Sequence, residues 1–583
     1  MKHLASLNKY FVTYKWHFVL GIVFTIASNY FGVQMPKYVK QSIDELQNAN
    51  YDLETPLLLA LMVGGWFILL SLGKGLFLFF MRQTIIVMSR RIEYDMKNEI
   101  FKHYLSLDSN FFKQHKIGDL MNRISEDVSQ VRMYLGPGVM YSLNLIVLTI
   151  LSIYQMMEIS VTLTLYTLIP LPLLSLIIYK VSNRINRSSK EVQEELSNIT
   201  TIVQESITGI RIIKAYDQFE NNAQKLSNAS ESYKRRSMQL VRINALFMPA
   251  ILLLIGLCTL LMIWVGGGLT GSNQLSLGAI VAFLLFVNNL TWPFVSIGWV
   301  TSIIQRAEAS QQRINEFLKT EPTIQNVSET PFSFEGHLEL KHVGLTYQNT
   351  GITGLEGISF QMQKGDTVGI TGKTGCGKSS IVGLLTRQFD PSMGEILVDG
   401  KDLKEIHLED FRKSVALVPQ EVFLFSDTIR NNVSFGSLFP VSDEEIIEAL
   451  KLAHVWHNIE LFPQGLDTQL GELGINLSGG QKQRINIARA LIRKPKLLIL
   501  DDCLSAVDTE TENIILHNLA QLPYQPTIVM VGHRISSLGN CRKIIALDHG
   551  KIIEMGRPEE LIQRKGFYYD LVEQQKQDPT PSV

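Results

Sequence analysis

Cysteine is scarce in this chain of 583 residues, and the four present, Cys258, Cys376, Cys503 and Cys541, stand at no metal-ligand spacing. A cysteine-built metal centre is thereby excluded, and reduced thiols are expected. A basic excess is missing as well. The net charge is −1 and the isoelectric point is near 6.9, so no nucleic acid partner is expected. Charge is also missing locally. The mean hydropathy of +0.12 averages a first half with long apolar runs and a second half that reads as an ordinary α/β domain. The length points to two or more domains.

The first half carries six segments apolar over about 20 residues, enough to cross a bilayer as helix. They lie near Trp16–Met35, Pro56–Met81, Gly136–Met157, Val161–Tyr179, Ala245–Leu269 and Leu277–Ile303. A cleaved secretory signal is the alternative for the first. Against it, the run is long, no clear small-residue cleavage site flanks it, and further spans follow. Lys and Arg gather between spans two and three, from Arg82 to Arg132, and between spans four and five, from Lys180 to Lys190 and at Lys234, Arg235 and Arg236. Gly266–Ser276 has no charge, and Glu158 is the only charge in the turn between spans three and four. The positive-inside bias therefore puts both termini in the cytoplasm.

Both basic connections keep apolar residues at helical spacing with few Gly or Pro. They are expected to be membrane helices running on into the cytosol, each a hairpin with a short tip. The candidate tips are Asp108–Phe112, ahead of Ile117–Leu120, and the segment around Ala215–Phe219, with its lead-in Ile207–Arg211. Inside the second span, Lys74 stands between Gly73 and Gly75. A buried ammonium is costly. It is either a contact in a translocation path or, the favoured reading, a snorkelling or structurally paired side chain. Asn29, Asn144, Asn288 and Asn289 are expected to hydrogen-bond between helices.

Thr320–Phe334 reads as a linker, residues 335–573 as the second domain, and Gln574–Val583 as a disordered tail. A strand over His337–Thr346 reaches Tyr347. A second, Asp366–Thr371, feeds Gly372-Lys373-Thr374-Gly375-Cys376-Gly377-Lys378-Ser379, and Ser380–Phe389 reads as the helix after it. That strand–loop–helix order fits a phosphate-binding loop. Its glycines let backbone amides close on phosphate oxygens, and the helix N-terminus favours negative charge. Lys378 would reach the β and γ phosphates, and the Ser379 hydroxyl would ligate Mg²⁺.

Leu477-Ser478-Gly479-Gly480-Gln481 lies about twenty residues upstream of the apolar run Leu497–Leu500, which ends in Asp501. With these residues in order the chain resembles, over nearly its whole length, the ABC transporter family. The resemblance implies an all-α six-helix transmembrane domain with long cytosolic helix extensions over 1–319. An α/β P-loop nucleotide-binding domain that uses ATP and Mg²⁺ follows. It implies a second copy too, because the LSGGQ loop caps a nucleotide held by the opposite protomer. Residue by residue, Tyr347 would stack on adenine, and Gly372, Thr374, Gly375, Cys376, Gly377, Lys378, Ser379 and Ser380 would hold the phosphates. Asp501, Ser379 and Gln420 would order Mg²⁺, with Gln420 also touching the attacking water. Asp508 belongs to the D-loop Ser505–Asp508, and His533 matches the switch histidine. Gly471-Glu472-Leu473-Gly474 resembles the x-loop of exporters. Both tips resemble coupling regions that dock on nucleotide-binding domains, with a solvated stalk as the alternative.

One position departs from the pattern. The residue after Asp501 is normally Glu, the general base, and here it is Asp502, one methylene shorter. Reach comes before pKa in such catalysis. The favoured expectation is a slow site on this chain's Walker motifs, the alternative being that a local shift restores Asp502. The intact LSGGQ would complete a competent site on a different partner, as in bacterial multidrug-resistance-like heterodimers, while a homodimer stays open. The expected protein is a half-transporter of a bacterial inner membrane exporting small amphipathic or hydrophobic compounds, in contact with membrane lipid. A lipid or lipid A-type flippase working as a homodimer is the alternative. The apolar spans argue against a soluble ABC ATPase. A gated channel of the same architecture would show uncoupled ion current. The lack of a peptidase domain before the first span lowers the odds of a leader-processing peptide exporter.

Overall fold

The computed structural model describes residues 2–48, 55–272, 274–347, 350–471, 474 and 477–577. The chain divides into two units, Met1–Ser106 with His115–Glu321, and Leu107–Gln114 with Pro322–Val583.

The first unit is helical: α1 (Lys15–Asn48), α2 (Thr55–Ser106), α3 (Val139–Ile159), α4 (Val161–Leu168), α5 (Pro170–Thr208), α6 (Phe219–Gly271) and α7 (Leu277–Leu318). Among the described residues five helical stretches are long and apolar enough to cross a membrane, including Ile117–Ile159, of which α3 is the end. The fourth expected span, Val161–Tyr179, is shared between α4 and α5, which part at Ile169. Pro170 opens α5, where its missing N–H costs no helical hydrogen bond. The 52 residues of α2 and the 53 of α6 each rise about 78 Å. That is well over twice the hydrocarbon core of about 30 Å, so the basic connections do continue the spans.

Polar contacts fix the helices where hydrophobicity cannot, since lipid is as apolar as leucine. Asn29 Nδ2 of α1 donates to Asn144 Oδ1 of α3 at 2.9 Å, meeting the expectation for those two residues. Lys74 of α2 is half-buried, with its stem 3.3 Å from where a Cβ on Gly32 would sit. The second candidate tip, Ala215–Phe219, follows the short helix Ile210–Ala215, none of whose residues is buried.

The second unit holds two sheets. One is antiparallel, in the order β2 (Thr353–Met362), β1 (Leu338–Thr346), β4 (Met393–Val398), β5 (Lys401–Asp402). The other runs β10 (Lys551–Gly556), β9 (Lys543–Asp548), β3 (Thr367–Gly372), β8 (Thr527–Val531), β7 (Leu497–Asp501), β6 (Val415–Val418), and is parallel except for the β10–β9 pair. Every residue of β7 and β8 is buried, which is why these strands read as unbroken apolar runs rather than alternating ones.

The first tip, the helix Ser109–Gln114, belongs to this unit. Asp108 Oδ1 accepts the amides of Asn110 at 3.0 Å and Phe111 at 3.1 Å, capping the helix. Its Oδ2 accepts the Thr323 amide at 2.8 Å and the Thr323 hydroxyl. Phe111 is buried, and the Lys113 ammonium sits 4.9 Å from the centre of the Phe389 ring.

At the other end a helix spans Phe567–Gln577. This corrects the expected tail: Gln574–Gln577 are helical, and 578–583 lie outside the described residues. Tyr568, Leu571 and Val572 repeat at helical spacing, and Tyr568 and Val572 are buried, so a core-facing stripe carries the helix past Glu573.

Candidate nucleotide-binding site

Four parallel strands deliver the site. The phosphate loop follows β3, Gln420 comes two residues after β6, Asp502 directly after β7, and His533 two residues after β8. In open parallel sheets the carboxyl ends of the strands form the binding crevice, and here a cavity of about 600 Å³ opens at that edge. Tyr347, Gly372, Thr374, Gly375, Gly377, Lys378, Ser379, Ser380, Gln420, Asp501, Asp502 and His533 line it. Its size suits a nucleotide-sized ligand. Cys376 is buried, with Sγ 3.9 Å from Lys378 Nζ.

Backbone demands explain the glycines. Gly375 has φ +82° and Gly377 φ +104°, values that side chains rarely adopt, and a Cβ on Gly377 would come within 2.6 Å of the Gly354 carbonyl oxygen. The loop leads into the helix Lys378–Leu385, so its first amides face the cavity. Lys378 Nζ donates to the carbonyls of Gly372 at 2.7 Å and Lys373 at 3.0 Å. Tyr347 is held by its hydroxyl, 2.8 Å from Ser380 Oγ, and by an edge-on contact with Phe389 at 5.6 Å between ring centres.

Asp501 is buried. Burial and the adjacent charge of Asp502 push its carboxyl above the usual range, against the pull of Lys378 and a hydrogen bond from Ser379. A strand-end carboxylate bonded to a hydroxyl, with the Gln420 amide nearby, is an oxygen donor set that suits Mg²⁺ completed by phosphate and water.

Asp502 stands in the left-handed region, φ +47°, which Asp and Asn tolerate better than longer side chains. Its amide donates to the Val531 carbonyl at 2.8 Å, and its carbonyl accepts the Ser505 hydroxyl at 2.9 Å. Both carboxylate oxygens are engaged: Oδ1 lies 3.0 Å from His533 Nδ1, and Oδ2 accepts Gln420 Nε2 at 3.3 Å.

The signature is built but stands apart. Ser478 Oγ accepts the Gln481 amide at 3.2 Å, and Gln481 Oε1 accepts the Ser478 amide at 3.0 Å, a reciprocal cap on the helix Gly479–Leu491. Among the described residues, none of Leu477–Gln481 lines the cavity. Asp508 caps the next helix through the Thr511 amide at 2.9 Å, a bond that holds its carboxyl below the usual range. Glu472 and Leu473 lie outside the described residues.

Sequence reasoning missed Leu571 and Gln575, which also line the cavity, and Arg534. The Arg534 guanidinium donates to the carbonyls of Ser505 at 2.6 Å and Val507 at 3.2 Å. The stripe of Tyr568, Leu571 and Val572 was the signal available for the first two.

A phosphate-loop ATPase domain fused to membrane-crossing helices defines a class, the transporters that couple ATP hydrolysis to movement across a membrane. Residues 18–294 match the ABC transporter transmembrane region and 355–505 the ABC transporter family model. The chain is 33% identical over 579 residues to the multidrug resistance-like ATP-binding protein MdlA of Escherichia coli, covering 99% of this chain and 97% of MdlA. It is 33% identical over 523 residues to the ATP-dependent lipid A-core flippase of Hahella chejuensis, covering 88% of each. A bacterial Atm1-family ABC exporter with ATP bound shares the fold, with TM-score 0.78 and 23% identity over 98% of this chain and 99% of that one. The chain belongs to the ABC transporter family, as a membrane-embedded, ATP-hydrolysing half-transporter.

Proposed function

We propose that this chain is one half of a bacterial inner-membrane exporter for amphipathic or hydrophobic compounds, with both termini and its ATP-binding unit in the cytoplasm. The name of the MdlA relative supports a multidrug cargo. So do apolar helices whose Trp264, Trp292 and Trp299 are exposed and whose charge is slight apart from Lys74. ATP enters the cavity with adenine on Tyr347, its phosphates on the loop amides and Lys378. Ser379, Asp501 and Gln420 would hold Mg²⁺, which when bound neutralises phosphate charge. Asp502 and Gln420 orient the attacking water, and His533 faces the terminal phosphate. The partner's signature caps this site while Ser478–Gln481 caps the partner's, a reading supported by the signature residues not lining their own chain's cavity.

Asp502 is the observation that carries the rest. Its carboxylate is about 1.5 Å shorter in reach than that of Glu, and His533 and Gln420 already hold both its oxygens. A displacement near 1 Å can cost about 10²-fold in rate, so this site hydrolyses slowly and a partner with a Glu-bearing site is favoured. The test is the ATPase rate of the lipid-reconstituted chain beside Asp502→Glu and Lys378→Ala. A weak wild type that gains about 10- to 100-fold as Glu locates the defect in one methylene. Silence in both forms shows that a different partner is required. Brisk wild-type turnover, lost in Lys378→Ala, sinks the slow-site reading. A homodimeric lipid flippase is the second reading, favoured by the flippase relative. It requires that brisk turnover together with stimulation by lipid A.

A further inference from the structure

The helix Phe567–Gln577 is fixed at its start and along one face. The Glu554 carboxylate accepts the amides of Phe567 at 2.8 Å and Tyr568 at 2.9 Å. Tyr568 and Val572 are buried in the core. Gln575 is the next position on that stripe, seven residues after Tyr568, where an apolar residue would continue it. Its amide is spent on backbone instead. Oε1 accepts the Ile535 amide at 3.0 Å, and Nε2 donates to the His533 carbonyl. One side chain therefore holds the main chain on both sides of Arg534. Arg534 itself is held by the Ser505 and Val507 carbonyls and lies 3.7 Å from buried Glu512. With the backbone held at His533 and Ile535 and the Arg534 side chain anchored between them, His533 is left to move chiefly by side-chain rotation.

We infer that Gln575 is a positioning residue for His533: the C-terminal helix fixes the switch segment so that the imidazole meets the terminal phosphate of a bound nucleoside triphosphate. The inference rests on the nucleotide-site reading above. It predicts discrimination rather than overall affinity, because ADP lacks the phosphate that His533 would meet.

The experiment needs no hydrolysis. Mg-AMP-PNP and Mg-ADP affinities are measured on the full chain in nanodiscs for the unaltered protein, Gln575→Met and Gln575→Glu. Met has similar length and neither hydrogen bond, whereas Glu keeps the acceptor for Ile535 but turns an oxygen on the His533 carbonyl. AMP-PNP binding weakened about fivefold in both variants, with ADP within about twofold, is the expected result. Equal weakening for both nucleotides would mean that the helix merely covers the cavity, and would overturn the inference. So would two unchanged affinities. An unaltered chain that binds neither nucleotide defeats the nucleotide-site reading first, and the inference falls with it.

Discussion

The two hairpin tips both carry aromatic residues and differ in what surrounds them. Phe111 of the first is buried and Asp108 is held by four donors from its own chain. The second offers Ile212, Tyr216 and Phe219 at 65%, 75% and 72% exposure, on and beside a helix with no buried residue. Apolar side chains grouped in this way mark an interaction surface more often than an accident. One tip is thus satisfied within the chain, whereas the other presents an exposed group of apolar side chains. A pattern of apolar residues at a hairpin tip can announce docking, but it cannot say on which copy.

The same substitution at both tips tests this most severely. Phe111→Ala should destabilise the second unit by about 3 kcal/mol, the low end for a buried Phe. Tyr216→Ala should change the stability of the isolated chain by less than about 0.5 kcal/mol. Thermal unfolding of the detergent-solubilised chain reads both. Equal losses would erase the distinction between the tips.

Asp108→Asn should cost about 1–2 kcal/mol, since a charged acceptor shared by several donors is lost. Burial pushes the Asp108 carboxyl up, but bonds from Thr323, Phe111 and Asn110 outweigh it and hold the group below the ordinary carboxylate range. Its stabilisation is therefore complete above the ordinary carboxylate pKa of about 3.9. It is lost as pH falls through the depressed value. The gap in Tm between wild type and Asp108→Asn should accordingly be full at neutral pH and shrink only in that acid range. A gap independent of pH would mean that the charge is not what matters. Lys113→Gln is the mildest probe, expected to cost about 0.5–1 kcal/mol by removing the ammonium from the Phe389 ring. No change would leave Phe111 and Asp108 as the whole anchor.

Legibility in the sequence followed the physics of each element. The strand–loop–helix order around Lys378 and the buried strand ending at Asp501 rest on local composition, and these elements lie where those residues indicated. The fourth span did not read cleanly, because apolarity carries on through Ile169 and Pro170 while the helix is interrupted there. The helicity of Gln574–Gln577 depends on a stripe continued by a polar residue, so a tail was expected instead. The methylene missing at Asp502 was plain in the sequence. Its left-handed backbone and its double engagement were not, since both depend on β8 and the Gln420 segment lying alongside. Arg534 and Gln575 act on carbonyls and amides, and nothing in residue type announces a backbone partner.

The second unit is discontinuous, with Leu107–Gln114 emerging more than two hundred residues before Pro322. At roughly 5–20 residues per second, the tip waits on the order of half a minute during synthesis before its docking surface has fully left the ribosome. Phe111 lacks its covering surface for that interval. The completed surface, in turn, finds its insert already tethered nearby at high effective concentration. A fragment beginning at Pro322 would lack that insert for good, and should be less soluble than one supplied with the 107–114 peptide in trans.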